Sequence, residues 1–173
     1  DDASVTQAAE QLVRELKDAG IRAKVDAQVS TAFGRRATDW ELKGVPVRVE
    51  LGPRDLAEGR VVVVRRDLGE KVPTELSAVP SMLPDLLESM QSEMLAGAVA
   101  RRELATVDCS TIEEAAEAAA TGFGRIPWAA VGAEGIERLG RDSVTVRCLQ
   151  RPDGDLPASD DEAGVLAIVA RSY

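Results

Sequence analysis

Apolar residues along this chain repeat with two periods in turn, and that interleaving predicts an α/β protein. Val45, Val47, Val49 and Leu51 alternate with Pro46, Arg48 and Glu50, the period of a half-buried strand. Val5, Ala8, Ala9, Leu12, Val13 and Leu16 instead recur at helical spacing. Valine and alanine dominate and aromatics make up only 3% of the residues, so aliphatic side chains must supply the core.

Taken in order, a helix is predicted over Val5–Ala19, capped by Ser4 or Thr6 and ended by Gly20. Ile21–Val25 reads as a short strand, and Asp26–Asp39 as a loop or short helix. Gly44 and Gly52-Pro53 are turn residues on either side of the Val45–Leu51 strand, whose Pro46 confines it to an edge or its own start. On this reading Arg48 and Glu50 face outward. The run Val61–Val64 is a strand buried on both faces, and Asp67–Pro73 a turn. A long helix follows from about Pro84 to Leu104, with Leu86, Leu87, Met90, Met94 and Leu95 as its apolar stripe. Asp108 or Ser110 caps a further helix to Thr121, with Glu113 completing a capping box and Gly122 stopping it. Arg125–Val131 is strand-like, Glu134–Leu139 a short helix, and Ser143–Leu149 and Gly164–Ala170 are strands. Arg151–Ala163, with its acidic run at 160–162, reads as an exposed loop.

The formal net charge of −9 argues against a general nucleic-acid binder, which needs a basic face. Charge is uneven, though: Phe33–Lys71 holds nine Lys/Arg against seven Asp/Glu. A locally basic strip on an acidic body suits specific recognition. With no histidine the commonest general base and metal ligand are missing. No apolar run is long enough for a membrane helix, no signal peptide is visible, and Cys109 and Cys148 read as ordinary thiols of a cytoplasmic protein.

The stretch from Trp40 to Leu56, Trp-Glu-Leu-Lys-Gly-Val-Pro-Val-Arg-Val-Glu-Leu-Gly-Pro-Arg-Asp-Leu, closely resembles the anticodon-binding domain of class II prolyl-tRNA synthetases of the archaeal and eukaryotic-like type. The ending Ala170-Arg171-Ser172-Tyr173 resembles that family's terminal tyrosine. The resemblance implies a mixed sheet of five-stranded type flanked by helices over residues 1–99, then a small α/β domain over 100–173. In that family an apolar strand precedes the first helix, so this chain is expected to be cut from something longer. The implied parent uses ATP and Mg to join proline to its tRNA, as a homodimer, and this segment carries no catalytic residue and no cofactor. Its partners would be the proline tRNA anticodon and the N-terminal catalytic part of the same protein.

Carried over by position, the resemblance places base-reading contacts at Glu41 and Arg48, and further anticodon contacts at Arg54, Asp55 and Lys71. Arginine suits the guanine acceptors N7 and O6, and a carboxylate suits the N1 and N2 donors. Tyr173 would dock on the catalytic body. Two departures stand out. The family's base-stacking aromatic is replaced by Ala37, leaving Phe33 or Trp40 as substitutes. Of the family's four zinc-binding cysteines only Cys148 is matched, so the zinc site reads as lost. Two rival readings remain at this level: a free-standing accessory module with the same fold, and a small-molecule enzyme using Asp/Glu acid–base chemistry.

Overall fold

A computed structural model describes residues 3–28 and 30–172, which fall into two compact units, 1–95 and 96–173. Their elements in chain order are α1 (Ala3–Asp18), α2 (Phe33–Leu42), β1 (Val47–Glu50), α3 (Pro53–Ala57), β2 (Arg60–Arg65), β3 (Lys71–Glu75) and α4 (Val79–Leu104). Then come β4 (Thr106–Asp108), α5 (Ile112–Ala118), β5 (Phe123–Pro127), α6 (Trp128–Arg141), β6 (Val144–Gln150) and β7 (Leu166–Arg171). The α/β class holds.

In the first unit β2 is the middle of an antiparallel sheet with order β1-β2-β3. Because paired strands place opposite residues on one face, the register sets Arg48, Val64 and Lys71 in a row across all three strands. Glu50, Val62 and Pro73 form the next row on that face. The other face carries Val61 and Val63, which pack with Leu12 and Leu16 of α1, Val79 and Leu83 of α4, and the half-buried Val47 and Val49. Burying each such side chain is worth about 1.5–3 kcal/mol. The alternation in β1 thus assigned its faces correctly, although all four β1 residues are only half-buried because the strand lies on an edge.

Gly20 closes α1 with φ +80°, a conformation a side chain would strain. Its N–H donates to the Lys17 carbonyl and that of Ile21 to the Leu16 carbonyl. Ser4 and Thr6, expected as caps, lie inside the helix.

Several expectations need correction. The three strands of the first unit are antiparallel, where a mixed sheet of five-stranded type was implied, and among the described residues the mixed sheet belongs to the second unit. Ile21–Val25 keeps the alternating exposure of a strand but pairs with no strand among the described residues. The short-helix alternative for 26–39 holds from Phe33, and the helix runs on to Leu42, so Trp40 and Glu41 are helical. Lys71–Pro73 is strand, not turn; Pro73 is tolerated because β3 is an edge. Gly52 and Pro53 open α3 as N-cap and N1 rather than marking a simple turn. Helix α4 begins before Pro84, which lies within its first two turns. Met94 and Leu95, assigned to its apolar stripe, are 49% and 60% exposed.

The second unit pairs β4 parallel to β5, and β5-β7-β6 antiparallel, around Ile126, Leu139, Val144, Ala167 and Val169. The cap of α5 is Thr111 rather than Asp108 or Ser110. Its hydroxyl accepts from the Glu114 N–H at 3.2 Å, and the carboxylate of Glu114, not Glu113, accepts in return from the N–H groups of Thr111 and Ser110. Gly122 comes after the helix has ended at Ala118 and serves a close approach instead: a Cβ there would collide with the Ala105 carbonyl oxygen. Trp128–Val131, expected as strand, is the first turn of α6, which breaks at Gly132. The acidic loop is stapled by Glu162, whose carboxylate accepts from Arg151 and from the Ala158 N–H.

Candidate nucleic-acid interface

Three of the sequence-predicted residues meet on the open face of the β1-β2-β3 sheet. Arg48 donates from Nη1 to Glu41 Oε1 at 2.7 Å and from Nε to Glu50 Oε1 at 3.0 Å. Lys71 reaches the second oxygen of Glu50 at 3.4 Å. The chain Glu41–Arg48–Glu50–Lys71 therefore links α2, β1 and β3 with two positive and two negative groups. Burial opposes the charge of Arg48, but the bonds from Glu41 and Glu50 outweigh it and raise its pKa above the ordinary guanidinium value. Arg48 stays a cation, 20% exposed and held at fixed orientation.

This placement leaves free valence at the surface. A guanidinium has five N–H donors, and Arg48 commits one to each carboxylate, so its Nη2 edge stays open. Glu41 likewise keeps Oε2. The bonded pair thus holds both a donor group and a carboxylate acceptor, the two kinds of partner that the edges of guanine call for.

Helix α2 is set in place by Asp26. Trp40 Nε1 donates to Asp26 Oδ2 at 2.6 Å, and Arg36 Nη1 to its other oxygen at 3.2 Å. The Trp40 bond, then the Gln28 N–H and Arg36, hold the Asp26 carboxyl below its usual range against a smaller opposing effect of burial. The Trp40 ring is also occupied, with Lys43 Nζ at 4.2 Å and Lys24 Nζ at 5.4 Å from its centre. Phe33, by contrast, is 51% exposed and lies one turn before Ala37 on the same face of α2.

Arg54 and Asp55 lie on α3 and join no such network. Asp55 accepts from the Gly52 N–H at 3.2 Å, closing the helix start. Arg54 is exposed and has no side-chain partner among the described residues. Tyr173 lies outside the described residues.

Sequence reasoning passed over Glu50 and Arg66 as site residues. Glu50 was visible as the next outward residue of β1. Arg66 follows the strand and gave no periodic signal, yet it lines a narrow crevice with Trp40, Glu41, Val45, Arg48 and Val64. The crevice has room for about one water molecule, so nothing the size of a base enters it; ligand edges must be met at the surface. A larger open hollow of about 470 Å³ runs along Lys17–Lys24 and involves none of the predicted residues.

Cys109 is buried, its thiol donating to the Val107 carbonyl, and burial raises its pKa, which leaves little thiolate. Cys148 is exposed on β6.

Residues 1–86 match the family model of the anticodon binding domain. The proline–tRNA ligase of Frankia casuarinae is 50% identical over 174 residues, covering 100% of this chain and 37% of the relative. Proline–tRNA ligase 2 of Streptomyces avermitilis is 52% identical over 159 residues, covering 91% and 34%. Among solved structures, prolyl-tRNA synthetase from Cryptosporidium parvum complexed with halofuginone and AMPPNP superposes with a TM-score of 0.82 at 26% identity, covering 100% of this chain and 38% of that one. The chain thus spans somewhat over a third of the length of these relatives. With a helix-flanked sheet carrying the Glu41–Arg48 pair, and with relatives matched along its whole length, the chain belongs to the proline–tRNA ligase family, of which it is the C-terminal part.

Proposed function

We propose that the first unit reads the anticodon of proline tRNA, with Arg48 and Glu41 on its guanines, and that the ATP-dependent joining of proline belongs to the rest of a longer cytoplasmic, homodimeric enzyme. The observation that carries this reading is the Glu41–Arg48–Glu50 arrangement, in which a guanidinium is bonded to and oriented by two carboxylates. Glu50 fixes Arg48 through Nε, so little side-chain entropy remains to be lost on binding. Phe33, rather than the occupied Trp40, offers a ring on which an anticodon base can stack. Lys71 orients Glu50, Arg54 offers a free guanidinium to the RNA backbone, and Asp55 acts by holding α3 in place. Tyr173 would support the catalytic body.

The test is a binding cycle with anticodon stem-loops of proline tRNA carrying either both guanines or a single substitution. Arg48→Ala and Glu41→Gln are each expected to cost about 1–3 kcal/mol on the cognate loop. The cost should shrink on the loop whose contacted guanine is already replaced. Losses that add fully to both guanine substitutions would mean that neither residue reads a guanine.

A further inference from the structure

We propose that Arg66 is a phosphate contact for the same RNA strand whose bases Arg48 and Glu41 read, an inference that rests on the anticodon reading above. Arg66 lines the crevice beside Glu41 and Arg48, and the crevice is too narrow for a base. Its main chain is fixed, because its N–H donates to the Pro46 carbonyl at 2.9 Å and ties the end of β2 to the start of β1. Its side chain is exposed and has no carboxylate partner among the described residues.

The neighbouring arginine shows the contrast. Arg65 is committed to Asp67 at 2.8 Å and Glu93 at 2.7 Å, at the margin of the core face. Arg66, just past the end of β2, instead lies with Val64, Arg48 and Glu41 along the crevice, so one of the two arginines serves the fold and the other is left at the open face.

Charge balance gives the chemistry. Glu41, Arg48, Glu50 and Lys71 sum to zero, and Arg66 adds a cation beside them with no carboxylate partner among the described residues. On a chain of net charge −9, attraction for a phosphodiester has to be local. An uncommitted guanidinium next to a base-reading pair meets that need, since its fork matches phosphate oxygens. With Arg54, it gives the neutral reading network an uncommitted cation to set against a polyanion.

The experiment measures binding of the full chain to the cognate anticodon stem-loop over a salt series. Arg66→Ala is expected to weaken binding about tenfold. It should also flatten the slope of log K against log salt by about 0.7, the release of one counterion from a single-stranded backbone. The loss should be equal on cognate and guanine-substituted loops, and Arg66→Lys should keep the wild-type slope. An Arg66→Ala protein with unchanged affinity and slope overturns the proposal while leaving the anticodon reading standing. So does a loss that disappears when one guanine is replaced, which would make Arg66 a base reader. A wild-type chain that binds all loops alike removes the anticodon reading itself. Thermal unfolding of each variant separates misfolding from lost contact, and Arg66→Lys carries the test if Arg66→Ala fails to fold.

Discussion

To read a guanine as proposed, Arg48 has to stay charged, stay oriented and still have hydrogen-bond donors to spare. Its two carboxylate partners meet the first two needs and leave the third intact. Half-exposed ion pairs of this kind add only about 0–1 kcal/mol to stability, so their value lies in orientation rather than in holding the fold. The same logic separates the two aromatic candidates of α2. Trp40 has its N–H on Asp26 and a lysine over its ring, so stacking a base on it would displace an existing cation–π contact. Phe33 has neither obligation. Phe33→Ala is therefore expected to lower affinity for the anticodon loop by about 1–3 kcal/mol, the usual worth of one stacked base, with an unchanged unfolding midpoint. Isothermal titration beside thermal melts checks both. A fall in stability with unchanged affinity would return the stacking role to Trp40.

At the scale of elements, the interface depends on α2 being held against the segment before it, and the clasp is a single carboxylate. Asp26 accepts from Trp40, from the Gln28 N–H and from Arg36, and these bonds favour its charged form. Its folded pKa is thereby depressed below the value of about 3.9 expected unfolded. A depressed carboxyl contributes stability that is fully present above the unfolded value and is lost as pH falls through the folded one. Trp40 fluorescence in a Trp128→Phe background should then report release of the clasp below about pH 3.9. Asp26→Asn should remove that transition. A midpoint at or above that pH would show that Asp26 gains nothing from its partners. This clasp was not legible in the sequence, because Asp26 and Trp40 are joined only through tertiary contact across a polar stretch. What was legible rested on local signals. The two-residue period of β1, the valine run of β2 and the helical spacing of α1 each survive because their apolar faces meet one shared core. Strand β3 was hidden by Pro73, whose missing donor matters only on a central strand. The cap of α5 was misplaced, by one residue from Ser110 and three from Asp108, because three candidate cap side chains precede that helix, and only the backbone decides among them. Met94 and Leu95 fit the helical stripe of α4 but lie beyond the reach of the first unit's core. For the site, the resemblance named Glu41, Arg48 and Lys71, and the structure brings them to one place. It could not show that Glu50 joins them or that Asp55 is spent on a helix start.

For the molecule as a whole, the question is whether the second unit requires a metal to fold. A structural zinc supplies folding free energy where a small domain lacks a core, and it needs about four Cys or His ligands in tetrahedral reach. This chain has no histidine and two cysteines. Sheet order β4-β5-β7-β6 puts Cys148 on one edge strand, while Cys109 directly follows the strand on the opposite edge. Three strand spacings separate those edges, roughly 14 Å at about 4.8 Å each, so the two thiols cannot share an ion or form a disulfide. Cys109 is, besides, a buried member of the core, packed with Ala115, Ile126, Leu139, Val144 and Val169. That continuous apolar cluster is the reason to expect the unit to fold without a metal. Elemental analysis of the purified chain should return well under one equivalent of zinc, and excess chelator should leave the unfolding midpoint unchanged. Cys148→Ser, on an exposed strand position, should be neutral to within about 0.5 kcal/mol. Cys109→Ser should destabilise by about 1–3 kcal/mol, because it places a hydroxyl in the core. Stoichiometric zinc, or a chelator-induced drop in the midpoint that Cys148→Ser abolishes, would show that the exposed thiol is a ligand and that the apolar core does not hold this unit alone.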